Sequence, residues 1–196
     1  MKLTLSRAAL AAAAVAFVVI VLGAYVRLSH AGLGCPDWPG CYGELTWPAE
    51  SHEIERANQA FPERPVETAK AWKEMVHRYL AGILVLLVVF INYLAWKPGS
   101  GSRQSRAAAG FLLVLILFQA ALGMWTVTLK LKPLIVMAHL LGGLATFSLL
   151  LWLGWRSRPV PAGHDNLSYA PFRSAVLAGL LVLVVQLALG GWTSAN

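Results

Sequence analysis

Glu74 and His77 stand three residues apart in Trp72-Lys73-Glu74-Met75-Val76-His77-Arg78-Tyr79-Leu80, where a charged approach enters an apolar run ending at Trp96. On one helix they share a face, with Glu74 one turn, ~4.5 Å, ahead of His77 along the axis. A carboxylate so placed can accept or relay a proton during chemistry at a bound ligand. The alternative is a plain interfacial charge paired with Arg78 or Lys73. The imidazole can take a proton or a metal. Ionisable groups at the lipid boundary are costly and usually face a bundle interior or a cavity.

A second histidine repeats the pattern. Met75-Val76-His77 opens one apolar segment and Met137-Ala138-His139 opens another, each followed by small residues, Ala81 and Gly82 in one and Gly142 and Gly143 in the other. Three further segments close on Leu22-Gly23-Ala24-Tyr25, Leu122-Gly123-Met124-Trp125 and Leu189-Gly190-Gly191-Trp192. The repeating unit is an antiparallel helix pair with a histidine near the start of its second member. Packed across a bundle, two such imidazoles can bind one haem iron from opposite faces. Their glycines would let backbones or a flat macrocycle approach closely. The bland alternative for each histidine is a hydrogen-bonded packing residue. Arg27 and Arg78, at the same boundary, read either as snorkelling anchors or as partners for haem propionates.

Cys35 and Cys41 are the only cysteines, six positions apart in Gly34-Cys35-Pro36-Asp37-Trp38-Pro39-Gly40-Cys41. Two prolines and a glycine can turn this stretch back on itself. A structural staple and a redox-active pair are both open; no CxxC spacing points to a lowered thiol pKa. Zinc would need ligands beyond His30 and His52. These two and His164 read as solvated loop residues, and Trp38, Trp47, Trp72, Trp125 and Trp192 mostly as an interfacial belt.

The elements that must position these groups are membrane helices. Hydrophobic residues make up 58% of the 196, charged residues 13%, and mean hydropathy is +0.62. That composition excludes an ordinary soluble domain. Five apolar segments, about Ala8–Leu28, His77–Trp96, Ala107–Leu129, Leu134–Trp155 and Ser174–Trp192, each approach the ~20 residues that span a bilayer core. Met1–Arg7 also fits the start of a signal peptide, but the apolar run after it is long and ends like two later segments, so it reads as a retained first helix. The expected architecture is an all-α polytopic bundle in a single integral membrane domain, 1–196. Its helices fall at about 8–28, 68–96, 107–129, 134–155 and 174–193, with an extracytoplasmic loop at 29–67. Two helix-pair repeats are complete, and the fifth helix begins a third, so the chain reads as stopping mid-repeat.

The charge of +7 does not point to nucleic acid, because the charges segregate by loop. Lys2, Arg7, Lys97, Arg103, Arg106, Arg156, Arg158 and Arg173 fall on one side, opposed only by Asp165. The Ser29–Lys73 stretch sets Arg56, Arg64, Lys70 and Lys73 against Asp37, Glu44, Glu50, Glu53, Glu55, Glu63 and Glu67. By the positive-inside rule the N-terminus is inside and the long loop outside, where disulfides persist. Lys130 and Lys132 are a minor conflict.

The motifs resemble the haem A synthase family, membrane enzymes that convert haem O to haem A for cytochrome oxidase. The resemblance rests on Tyr25-Val26-Arg27-Leu28-Ser29, on Gly32-Leu33-Gly34-Cys35-Pro36-Asp37-Trp38-Pro39 with Cys41, on Glu74-Met75-Val76-His77-Arg78, and on His139-Leu140-Leu141-Gly142-Gly143. It covers the whole chain but only the N-terminal half of a typical member, which has eight helices in two similar halves. It implies that His77 and His139 ligate haem iron, that Glu74 is the catalytic carboxylate, and that Cys35 and Cys41 are the paired loop cysteines. The implied reaction oxidises a methyl group of haem O to a formyl group by successive hydroxylations, with haem b in the other half passing electrons.

The resemblance further implies haem O and membrane lipid as partners and the bacterial inner membrane as location. Haem O synthase, oxidase assembly factors and a second copy of the chain are further candidate partners. Two rivals use the same histidines: a b-type electron-transfer cytochrome and a non-catalytic haem-handling assembly protein. The topology is tested first. A cysteine reporter placed within Glu50–Glu67 should label from the extracytoplasmic side; labelling only from the cytoplasm would reverse the orientation.

Overall fold

The computed structural model describes residues 2–98, 102–158 and 172–195. His164 and Asp165 lie outside the described residues. Among the described residues six helices follow one another: α1 (Lys2–Leu28), α2 (Ser51–Ala60), α3 (Thr68–Trp96), α4 (Arg103–Thr128), α5 (Pro133–Arg156) and α6 (Arg173–Ala195). All but α2 are long and apolar enough to cross a membrane. Local chemistry sets several ends. Ser102 caps α4 by accepting from the Ser105 N–H at 3.1 Å, and Pro133 opens α5, where its missing N–H costs nothing. Between them the chain turns through left-handed backbone at Lys130 (φ 53°) and Leu131 (φ 57°), an unfavourable conformation for leucine that makes the α4–α5 link tight.

Two elements differ from the sequence reading. The first helix starts at Lys2 rather than near Ala8, and Leu5 and Ser6 are buried in the bundle. The basic leader therefore continues the helix, because Leu5 and Ala9 fall on the same face as the alanines that follow. The long loop also contains α2, whose mostly polar sequence gives no span-like signal; Glu53 holds its start by accepting from the Ala49 and Glu50 N–H groups.

Helices α1, α3, α4 and α5 form a ring. Each touches its two neighbours, in the order α1–α3–α4–α5–α1, and neither diagonal pair is in contact; α6 packs on α5. The core lies toward the end away from the long loop. Ala9, Ala12, Ala13 and Ala16 make a small-residue stripe on α1, met by Leu84, Val88 and Ile91 of α3, Leu112 and Ile116 of α4, and Leu150 and Leu153 of α5. Small side chains let helices approach where lipid supplies no hydrophobic drive. Hydrogen bonds add to the packing there. Asn92 Nδ2 donates to the Ala109 carbonyl at 2.8 Å, and Ser6 Oγ donates to the Gly154 carbonyl at 2.7 Å. On α5, by contrast, no residue from Pro133 to Ala145 is buried. The bundle is tight at one end and open at the end where the histidines stand.

The long loop folds over that open end as a cap with its own core. Cys35, Cys41, Tyr42 and Ala57 bury against Ala71 and Met75 of α3, with Trp47, Phe61 and Val66 around them. Trp47 thus belongs to the cap core and not to a lipid-facing belt. The Tyr42 ring meets Phe61 edge-on at 5.5 Å. Burial pushes the Tyr42 phenol above its ordinary range, which keeps it a neutral donor to the Pro65 carbonyl at 3.2 Å. Cys35 and Cys41 are joined, with Cα atoms 4.9 Å apart, inside the usual range for a bridge. The tie between them closes a short loop, so its loss should cost on the order of 2 kcal/mol by chain entropy. The paired change Cys35→Ser and Cys41→Ser should lower the thermal midpoint of the purified protein and expose the cap to protease before the helices. Unchanged protease sensitivity of 29–67 would show that the cap holds without the bridge.

Candidate functional site

His77 enters from α3 and His139 from α5, the two helices that face each other across the ring without touching. Both rings are half-buried. Each rests against a glycine of the neighbouring helix. A Cβ built on Gly23 of α1 would stand 3.0 Å from His77 Cε1, and one on Gly123 of α4 would stand 3.5 Å from His139 Cε1. The Leu-Gly-aromatic repeat therefore has a spatial meaning: in both complete helix pairs its glycine is the floor under a histidine. The Nδ1 atoms of both rings are buried and make no hydrogen bond. Buried unpaired nitrogens on two facing histidines, at the open end of a ring of four helices, fit a bound group that supplies a metal between them.

Glu74 is 4% exposed and turned toward the cap. Its Oε1 accepts from Arg78 at 2.5 Å and its Oε2 from the Cys35 N–H at 3.0 Å. Arg78 in turn donates to the carbonyls of Asp37 (3.0 Å), Pro39 (3.3 Å) and Gly40. Of the two pairings open from sequence, Arg78 is the one formed; Lys73 instead sits over the Tyr25 ring at 5.1 Å. Backbone contact makes this close fit. A Cβ on Gly34 would come within 2.7 Å of the Lys70 carbonyl carbon, so only glycine lets the loop lie on α3 here. Among the described residues, no hydrogen bond joins Glu74 to His77 or His139.

Arg27 is drawn toward α6, donating from its NH2 group to the Ser194 carbonyl at 2.5 Å, while its Nε is buried and unpaired. Arg27 and Arg78 thus both stand at the histidine end, and in this structure both engage backbone carbonyls.

One residue escaped sequence reasoning. Gln119 of α4 is 5% exposed, both of its amide atoms lack partners, and its side chain lies directly over Gly142, one turn along α5 from His139. A signal was present: Gln119 to Trp125 and Gln186 to Trp192 share a glutamine, a Leu-Gly and a tryptophan at the same spacing.

The family model described as cytochrome oxidase assembly protein (COX15-CtaA) matches residues 6–196. The chain is 51% identical to the haem A synthase of Shewanella oneidensis over 178 residues, covering 91% of this chain and 53% of that protein. It is 33% identical to the haem A synthase of Rhodospirillum centenum over 155 residues, covering 76% of this chain and 38% of the relative. With that of Rhizorhabdus wittichii it shares 25% identity over 203 residues, 93% of this chain and 57% of the relative. No solved structure matches. The chain spans about half the length, or less, of these curated relatives. With a family model matched over nearly every residue, and its motifs gathered at one end of a helical membrane bundle, the chain belongs to the haem A synthase family of cytochrome oxidase assembly proteins.

Proposed function

We propose that the protein takes part in haem A synthesis, holding haem O at the open end of the bundle while one of its methyl groups is oxidised to a formyl group. The observation that carries this reading is the facing pair His77 and His139, on diagonal helices, each backed by a glycine and each with an unpaired buried nitrogen. The two imidazoles would hold the haem iron, and the bound haem would supply the redox chemistry. In each of two two-electron oxidations a C–H bond is broken and a water supplies the hydroxyl, with two protons and two electrons released, so that the methyl becomes hydroxymethyl and then a geminal diol, which loses one water to leave the formyl group. The withdrawn electrons go to an acceptor, for which a haem b in a second, similar half is the expected relay. The protein's own residues limit bulk water and position the substrate. The cap closes one end, the alanine-lined core closes the other, and Arg27 and Arg78 stand at the rim where propionates would be met.

Glu74 is the proposed catalytic carboxylate. In the resting arrangement it is paired, so proton transfer through it requires Arg78 to give way. That same pairing favours a second reading, a b-type cytochrome or haem-handling protein in which Glu74 only fastens the cap. The proposed setting is the bacterial inner membrane, with the N-terminus cytoplasmic and the cap outside, supported by the loop charge bias and by a bridged cysteine pair. Haem O synthase and oxidase assembly factors are the proposed partners.

The full-length protein separates the two readings. His77→Ala and His139→Ala should each lower haem content. Glu74→Gln should leave haem bound, removing a charge while keeping the shape, and should abolish formation of formyl-haem in a haem extract. Glu74→Ala should also loosen the cap, since stranding a buried partner charge costs on the order of 3 kcal/mol. Full conversion of haem O by a folded Glu74→Gln protein would leave Glu74 with the fastening role alone.

A further inference from the structure

Leu112, Ile116, Gln119 and Gly123 follow one face of α4, spaced by four, three and four residues. The first two belong to the apolar core, and the last rests against the His139 ring. Gln119 therefore stands where the core gives way to the histidine end, one turn, ~6 Å, toward the core from Gly123. It is 5% exposed, and its Nε2 and Oε1 are both buried without a hydrogen-bond partner. Helix α5 makes room for it, because a Cβ on Gly142 would overlap the Gln119 amide. The buried Asn92, by contrast, donates to the Val88 and Ala109 carbonyls. A donor and an acceptor left bare side by side inside a membrane bundle are costly.

We propose that Gln119 is a specificity-determining residue whose amide hydrogen-bonds the hydroxyl on the farnesyl-bearing side chain of haem O. It rests on the reading of His77 and His139 as ligands of that haem. Helix α4 stands between α3 and α5 in the ring, so its side chains would meet the edge of a macrocycle held between them, not its face. Propionates at Arg27 and Arg78 would turn the opposite edge toward the core, to the level of Gln119. On that edge haem O carries its hydroxyl-bearing farnesyl chain, where haem b carries a vinyl group. The amide can tell the two apart. A hydroxyl both donates and accepts, so it can satisfy Oε1 and Nε2 together; a vinyl group does neither, and a carboxylate only accepts. Sites built to bond a hydroxyl reject analogues that lack it, because the buried polar group is then left unpaired. The methyl group to be oxidised neighbours a propionate, on the side of the cap and Glu74, so the amide is remote from the reacting carbon. At the matching position of α1, four residues before Gly23, stands Val19. The hydrogen bond is thus offered at the α4 edge and not at the α1 edge, which selects one way round for the ring.

Purified full-length protein, titrated with haem O and with haem b through the Soret band, gives the ratio of the two affinities. Gln119→Met keeps the length of the side chain and removes the amide. The preference for haem O over haem b should fall roughly tenfold, the scale of one hydrogen bond to a buried group. Thermal stability without haem should hold or rise, since the change removes no hydrogen bond. Gly142→Ala, which pushes the amide aside, should lower the same ratio, and it decides alone if Gln119→Met fails to accumulate. An unchanged ratio, including equal weakening of both haems, would overturn the proposal and leave Gln119 a packing residue. So would a wild-type ratio with hydroxymethyl-haem accumulating in haem extracts, which would put the amide at the reacting carbon. The paired change His77→Ala and His139→Ala supplies the blank; undiminished binding of both haems there would instead overturn the ligand reading beneath the proposal.

Discussion

The ion pair between Glu74 and Arg78 is the contact on which the histidine end of this protein depends. Both groups are held out of water at the start of α3, where an unpaired charge would be far more costly than a paired one. The pair is completed by the cap: the Cys35 N–H satisfies the carboxylate, and carbonyls of Asp37, Pro39 and Gly40 satisfy the guanidinium. The bridge between Cys35 and Cys41 holds those backbone groups in one place. Disulfide, loop and ion pair therefore form one unit, and that unit packs on the start of α3, on either side of His77 in sequence. A residue with a prospective chemical role thus has a structural one as well, and the two roles act through the same atoms.

Below the cap, the bundle is graded along its length. Alanines, leucines and valines fill the far end, with Asn92 and Ser6 tying neighbouring helices through backbone carbonyls. In lipid every polar group needs such a partner, because no water is present to replace it. Toward the cap the filling stops, and the polar groups there, Nδ1 of His77 and His139 and the amide of Gln119, remain unpaired. Such unpaired groups are scarce in finished packing. Their concentration at one end marks that end as shaped for something other than side chains. The haem proposed above, held between α3 and α5, would meet both imidazoles.

Sequence and structure divide the explanation unevenly. Composition and apolar run length made five spans legible, because a bilayer demands about twenty apolar residues and little else yields them. The histidines were legible because His77 and His139 recur in one local pattern at the start of two spans. Boundaries were less so. The leader up to Arg7 looked like a flank yet is helix, since Leu5 and Ser6 find burial that only neighbouring helices provide. Helix α2 was hidden because a short polar helix on a cap has no span to announce it, and Trp47 left the expected belt because the cap offered it a core.

What the sequence determined by itself was therefore the set of parts: the spans, the charge bias of the loops, the paired cysteines, the repeated histidines and the glycine motifs. Each of these is written in neighbouring residues, where periodicity and composition act. What only the tertiary structure decided was which parts meet. Glu74 could have faced the histidines or the loop from its place on α3; the Cys35 N–H and Arg78, 39 positions away and four positions away, drew it to the loop. Gly23 and Gly123 read only as parts of a repeated segment end until His77 and His139 lay against them. Apart from the local Glu74–Arg78 pair, these contacts join residues of different elements, and they are set by competition for buried partners, a quantity that exists only once the helices have packed.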